Sequence, residues 1–304
     1  KSKSVKNALA VFFLEIRGQH LCIWHIPSII LWLVGEKALD AAFVALFVFL
    51  VGEGDEFITS AYTYTASAAA AIHVGATVVF VDSQKDSPEM DYDAMEEAIT
   101  EKTKLLVLPF PNNPTGAIME KKDLEAIAKV IGKYDLYVLS DEIYSELTYL
   151  ENHVSIASLP GMKERTILIN GFSKSHSMTG WRLGYACGPE LIIKQMLKIH
   201  QFAIMCAPTT SQYAAVVAMN ECDEEIDTMR RSYDMRRRFL INELNSIGLN
   251  CYNAQGAFYV FADISCTGMT SEEFCVNLLQ KNRVAVIPGN AFGKAGEVEI
   301  PADA

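Results

Sequence analysis

Residues 104–144 read KLLVLPFPNNPTGAIMEKKDLEAIAKVIGKYDLYVLSDEIY, and the hydrophobic period changes three times along them. KLLVLPF (104–110) is a continuous apolar run of strand length, the pattern of a strand buried on both faces. PNNPTG (111–116) follows, and its two prolines and one glycine force a tight, preset turn. DLEAIAKVIGKY (123–134) then carries apolar residues at helical spacing, and DLYVLSDE (135–142) returns to a second apolar run. A strand, an amphipathic helix and a second buried strand make a βαβ unit, because parallel neighbours need a long crossover.

The same alternation continues on either side. Upstream, FITSAY precedes an Ala-rich helix, TASAAAAIHVGA (65–76), which should stop at Gly75, and TVVFVD (77–82) is a β-branched strand. MDYDAMEEAITEKT (90–103) reads as an acidic surface helix. Downstream come the strands TILING (166–171) and RLGYACG (182–188), so the expected class is α/β with a mostly parallel, doubly wound sheet. Residues 189–245 are strongly helical, and the tail offers a strand AFYVFADI (257–264), a helix SEEFCVNLLQKN (271–282) and a strand VAVIP (284–288). The expected division is a large α/β domain over 20–205. A helical connection and smaller C-terminal α+β domain would take 206–304, with part of 1–19.

Composition narrows the function. The 304 residues are 50% hydrophobic and 21% charged, which excludes collagen-like and disordered classes. Lys plus Arg number 26 against 37 Asp plus Glu, a formal net charge of −11, so no field attracts nucleic acid or anionic lipid. The seven cysteines are scattered with no C-x-x-C pair, which points to the cytoplasm rather than to a disulfide framework or zinc site. His20, Cys22 and His25 lack a fourth ligand, so no metal is expected. The apolar stretches 21–34 and 41–51 fall short of the roughly 20 residues a membrane span needs and are separated by charges, so no membrane span is expected.

The chemistry-bearing residues stand where strands end, the place where open α/β sheets bind ligands. The PNNPTG turn would hold the Asn113 amide in one orientation, although on turn chemistry alone an ordinary turn is the stronger explanation. Asp141 closes a strand with Tyr144 three residues on; a helix N-cap is the competing role for the aspartate. GFSKSHSMTGWRLGY (171–185) sets Ser173, Lys174 and Arg182 within a short span between two strands. A lysine desolvated there could attack a carbonyl and form a Schiff base, and Arg182 with the Ser173 hydroxyl could hold a phosphate.

NNPTG, SDEIY and SKSHSMTGWRLGY, in this order and spacing, resemble the class I/II aminotransferases, a fold type I family that uses pyridoxal 5'-phosphate. GAFYVF (256–261) and VAVIPGNAFGKAGE (284–297) extend the resemblance. It implies that Lys174 is the internal aldimine lysine and proton shuttle, and that Asp141 pairs with the pyridine nitrogen. It further implies that Asn113 and Tyr144 bond the ring's phenolic oxygen, and that Ser173 and Arg182 hold the phosphate. VGEKALDAAFVAL (34–46) resembles the family's phosphate-facing helix, with Gly35, Glu36 and Lys37 at its start, although an acid there is unfavourable. Residues 52–104 look more like the DegT/DnrJ/EryC1/StrS sugar aminotransferases. Tyr62, or Tyr64 on that second alignment, would stack on the ring.

The implied activity is transfer of an amino group between an amino acid and a 2-oxo acid, by a ping-pong cycle through pyridoxamine phosphate in a homodimer. Other pyridoxal chemistry, C–S lysis or sugar amination, is the alternative. A non-catalytic membrane- or partner-binding relative is another. The family places an arginine for the substrate carboxylate shortly after the GKAGE segment, and GEVEIPADA (296–304) contains none, so the particular amino acid is not readable.

Overall fold

The computed structural model describes residues 29–33, 51–63, 66–85, 88–203 and 205–293. These contain seven strands: β1 (Ile29–Leu33), β2 (Glu56–Ser60), β3 (Thr77–Val81), β4 (Thr103–Pro109), β5 (Tyr137–Asp141), β6 (Thr166–Gly171) and β7 (Gly184–Gly188). They form one sheet in the order β1-β7-β6-β5-β4-β2-β3. β2, β3, β4, β5 and β6 pair in parallel, and β7 runs antiparallel between β6 and β1. The order reverses around β2, so the carboxyl ends of β2, β4, β5 and β6 share one edge at a topological switch point. β1 comes from the apolar stretch 21–34 and pairs with β7 from Ile29↔Gly188 to Leu33↔Gly184. No helix among the described residues is long and apolar enough to cross a membrane.

The continuous apolar strands are explained by burial on both faces. Leu105 and Val107 of β4 join Phe57, Leu139, Ile167 and Ile169 on one face, while Leu106 and Leu108 join Ile58 and Val138 on the other. The first face is covered by α1 (Ala66–His73), through Ala70 and Ala71, and α4 (Glu190–Ala203), through Ile192, Ile193 and Met196. The second is covered by α2 (Tyr92–Glu97), through Met95, and α3 (Lys121–Tyr134), through Leu124, Ile127 and Ile131. Each of these α3 side chains is worth about 1.5 to 3 kcal/mol buried, which outweighs the roughly 1 kcal/mol cost of Gly132 inside the helix. Asp135, at φ 53, ends α3.

Three expectations need correction. The acidic segment 90–103 gives only the six-residue α2, capped by Asp91 accepting from the amides of Asp93 and Ala94. Its remainder is a turn in which the Thr100 amide donates to Thr103 Oγ1. AFYVFADI (257–264) is not a strand: Ala257 stands at φ 56, and only isolated bridges, Thr148↔Gly256 and Cys251↔Ala262, form around it. VAVIP (284–288) pairs with no strand among the described residues, and Val284, Val286 and Ile287 are exposed. Alternating aromatic or branched residues make a strand only where a partner supplies the ladder.

The helical reading of the remainder agrees with the structure: α5 (Thr209–Glu221), α6 (Asp223–Ser246) and α7 (Ser271–Asn282). α7 opens with a capping box between Thr270 and Glu273.

Candidate active site

The site edge is assembled by register. Pro109, the last residue of β4, lies opposite Asp141, the last of β5, and Asp141 lies opposite Ile169 of β6, two residues before the loop that carries Lys174. Short connections therefore bring PNNPTG, Asp141 to Tyr144 and Ser173 to Arg182 to one rim.

In the PNNPTG turn the structural work falls to Asn112, which sequence reasoning passed over in favour of its neighbour. Asn112 is buried; its Nδ2 donates to the carbonyls of Tyr62 (3.1 Å) and Pro109 (3.4 Å), and its Oδ1 accepts from Thr115 Oγ1 (2.9 Å). That frame leaves Asn113 half-buried at the turn's tip and fastens the chain at Tyr62 to the β4 end. Gly116, at φ +70, is the one residue type that fits: a Cβ there would stand 2.6 Å from Ala254 Cβ and 2.8 Å from the Gly256 carbonyl. The amides of Gln255 and Gly256 both donate to the Gly116 carbonyl, so the GAFYVF segment is locked onto the turn.

Asp141 accepts from the Ile143 amide at 3.2 Å, so it caps a turn rather than a helix. Burial pushes its carboxyl up to about 6, against the opposing pull of the Ile143 amide; the Glu142 charge raises it further, and the Lys174 ammonium lowers it. Lys174 Nζ lies 5.9 Å from the centre of the Tyr144 ring and 5.8 Å from that of Phe258. Asp141, Tyr144 and Lys174 are thus neighbours. The loop that carries the lysine is braced internally: Thr179 Oγ1 donates to the Ser173 carbonyl (2.8 Å) and Arg182 Nη1 to the Thr179 carbonyl (2.6 Å). Arg182, at φ 53, and Ser173 are both half-buried.

Tyr62 is half-buried, edge-on to Phe261 at 6.0 Å, and burial together with Asp82 pushes its phenol up. Gly35, Glu36, Lys37 and Tyr64 lie outside the described residues, as do His20, Cys22 and His25. Among the described residues no group of three His, Cys, Asp or Glu is placed to hold a metal ion.

Two further features went unread. Glu142 is buried beneath the rim and accepts from Ser140 Oγ (3.0 Å) and Ser155 Oγ (2.6 Å), with His153 Nε2 at 2.9 Å. Acid next to acid in SDEIY gave a hint, but only the structure shows that Glu142 is buried among hydrogen-bond partners while Asp141, at the end of β5, stays half-buried. The second is the aromatic wall from GAFYVF, where Phe258 meets Tyr144 edge-on at 5.4 Å and stacks on Tyr233 of α6, also at 5.4 Å.

Known proteins share this sequence pattern and fold. The family model described as aminotransferase class I and II matches residues 3–302, including the segment 52–104 that looked closer to sugar aminotransferases. The aspartate aminotransferase of Pyrococcus abyssi is 42% identical over 272 residues, 88% of this chain and 69% of that protein. The aromatic-amino-acid aminotransferase 2 of Thermococcus litoralis is 40% identical, over 81% of this chain and 64% of its own length. The chain therefore spans about two thirds of these relatives. Among solved structures, the aromatic aminotransferase from Pyrococcus horikoshii superposes with a TM-score of 0.86 at 39% identity, over 95% of this chain and 78% of that one. With nearly its whole length matched, this chain belongs to the class I and II aminotransferases, fold type I enzymes that depend on pyridoxal phosphate.

Proposed function

We propose that the chain moves an amino group between an amino acid and a 2-oxo acid in two half-reactions, with Lys174 as the residue that carries the cofactor and shuttles the proton. The observation that carries this reading is the neighbourhood of Lys174: its Nζ over the Tyr144 ring, with the half-buried carboxyl of Asp141 close enough to feel its charge at one sheet edge.

The donor set fits pyridoxal phosphate. A carboxyl raised by burial gains most from a cationic partner, and a protonated ring nitrogen is one. Arg182 and Ser173, braced through Thr179, offer a guanidinium and a hydroxyl to a phosphate, with Gly35, Glu36 and Lys37 as further candidates from the sequence. Asn113 and Tyr144 flank the rim with an amide and a phenol for the ring oxygen, and Tyr62 supplies an aromatic face. When bound, the cofactor supplies an aldehyde for attachment and a ring that takes up the electron pair left at the substrate Cα. Asp141 holds the compensating negative charge against the ring nitrogen. Lys174 Nζ takes the proton from the substrate Cα and returns one. The aromatic rings of Tyr144 and Phe258 flank that amine at 5.9 and 5.8 Å.

We further read residues 20–205 as the cofactor-binding domain and 206–304, with part of 1–19, as the connection and smaller domain. We place the protein in the cytoplasm as a homodimer; six free thiols among the described cysteines suit a reducing compartment. The test is borohydride reduction of the protein loaded with pyridoxal phosphate, followed by peptide mapping. A phosphopyridoxyl mass on Lys174 is expected; an unmodified Lys174 would overturn the assignment.

A further inference from the structure

We infer that Tyr259 is a positioning residue for the cofactor site, acting through the hydroxyl of Tyr144. This deepens the proposed function and rests on its assignment of Tyr144. The two phenol oxygens are 2.6 Å apart across 115 positions of sequence, and either hydroxyl could be the donor. Their rings meet edge-on with centroids 5.8 Å apart.

The segment that delivers Tyr259 is fixed independently of that bond. The Ala257 amide donates to the Leu147 carbonyl at 2.9 Å, the Tyr149 amide donates to the Gln255 carbonyl at 3.0 Å, and the Tyr149 hydroxyl donates to the Ala257 carbonyl. Ala257 is fully buried, and its positive φ turns the chain so that both Phe258 and Tyr259 contact Tyr144. Tyr144 is itself buried, and its ring lies beneath Lys174 Nζ.

The chemistry gives the second hydroxyl a use. A phenol that donates to a ring oxygen has one proton to aim, and its C–O–H torsion is otherwise free to rotate. With Tyr259 donating to Tyr144 Oη, the Tyr144 proton is directed away from Tyr259 and is available to the site. The fixed 255–257 segment means that the Tyr259 hydroxyl stands beside Tyr144 before anything binds, which lowers the ordering required on binding.

The experiment measures the dissociation constant of pyridoxal phosphate by absorbance titration of the cofactor-free protein, in wild type, Tyr144→Phe, Tyr259→Phe and the double variant. Both substitutions remove one oxygen and keep the ring, and near-ultraviolet circular dichroism with the thermal midpoint checks that packing is kept. Tyr259→Phe should weaken binding about three- to tenfold, the worth of one hydrogen bond, and should change nothing further once Tyr144 is Phe. The pH midpoint of the bound cofactor's visible absorbance should move in the same direction in both single variants. A silent Tyr259→Phe beside a weakened Tyr144→Phe overturns the inference alone, as does a Tyr259 effect that persists undiminished in the double variant. A silent Tyr144→Phe overturns the assignment of Tyr144 and the inference with it.

Discussion

Asp141 shows how a carboxyl at the candidate site is held against its own preference. Its carboxyl titrates near 6 in the fold against about 4 in an unfolded chain, chiefly because burial disfavours the charge. A raised acid pKa means that the folded state holds the proton more tightly. Stability from this group is therefore full below about pH 4, falls as pH rises to about 6, and stays lowered above that. Asp141→Asn removes the ionisation, so the cofactor-free variant should gain on wild type across that window, by on the order of 2 to 3 kcal/mol at pH 8. Urea unfolding of both proteins at pH 5 and pH 8 checks this, and a gain that does not grow with pH refutes it. The same variant should slow proton removal from substrate by orders of magnitude, because a neutral amide cannot hold a protonated ring nitrogen. Lys174→Ala should abolish both turnover and the borohydride-trapped mass, read by peptide mapping.

At the level of single elements the deciding feature is the contact between the PNNPTG turn and the segment after α6. Gly116→Ala puts a Cβ against Ala254 and the Gly256 carbonyl at a positive φ, so it should cost at least about 2 kcal/mol in urea unfolding and weaken cofactor binding through Asn112 and Asn113. An unchanged unfolding midpoint would show that the two segments are not locked together. What could be read from residues divides along the same line. β4, α3 and β5 were legible because buried parallel strands are apolar throughout and their crossover helix keeps its own period. The gathering of Asp141, Tyr144, Lys174 and Arg182 near one sheet edge was legible because each stands where or just after a strand ends. Asn112 and Asn113 could not be told apart, since the frame that buries the first involves Tyr62, fifty positions upstream. The 257–264 segment reads as a strand because aromatic residues alternate in it, but long-range bonds to 147–149 and Gly116 turn it into the wall of the site. β1 was concealed inside a stretch whose hydrophobicity raised the question of a membrane, since local composition does not tell an edge strand with an antiparallel neighbour from other apolar runs.

Across the whole molecule, the surface beside the lysine loop supports the proposed homodimer. Trp181 is 47% exposed, Phe202 95%, Met205 75%, Tyr213 61% and Val217 50%. Ser211 Oγ of α5 donates to the Trp181 carbonyl at 2.6 Å, which ties the lysine loop to α5, and Tyr213 and Val217 stand four residues apart on one face of that helix. Scattered exposed apolar residues are ordinary, but four large ones within the stretch 202–217 and the adjoining Trp181 are where a partner is expected to sit. Trp181 adjoins Arg182, so a partner seated there would reach the rim of the site. Two opposing effects then set how association responds to salt. Burying apolar area favours the dimer, and two chains each carrying a formal charge of −11 repel at long range. Screening shortens that repulsion from a Debye length of about 30 Å at 0.01 M salt to about 8 Å at 0.15 M and leaves the apolar term in place. Sedimentation velocity should therefore show a dimer that tightens as salt rises over this range. Phe202→Asp combined with Tyr213→Asp should give monomer at both ionic strengths while the far-ultraviolet circular dichroism of the folded protomer is kept, since neither side chain is buried in the protomer. A dimer that loosens with salt would place charge pairing rather than apolar burial at the interface, and a dimer indifferent to the double substitution would put the contact on another face.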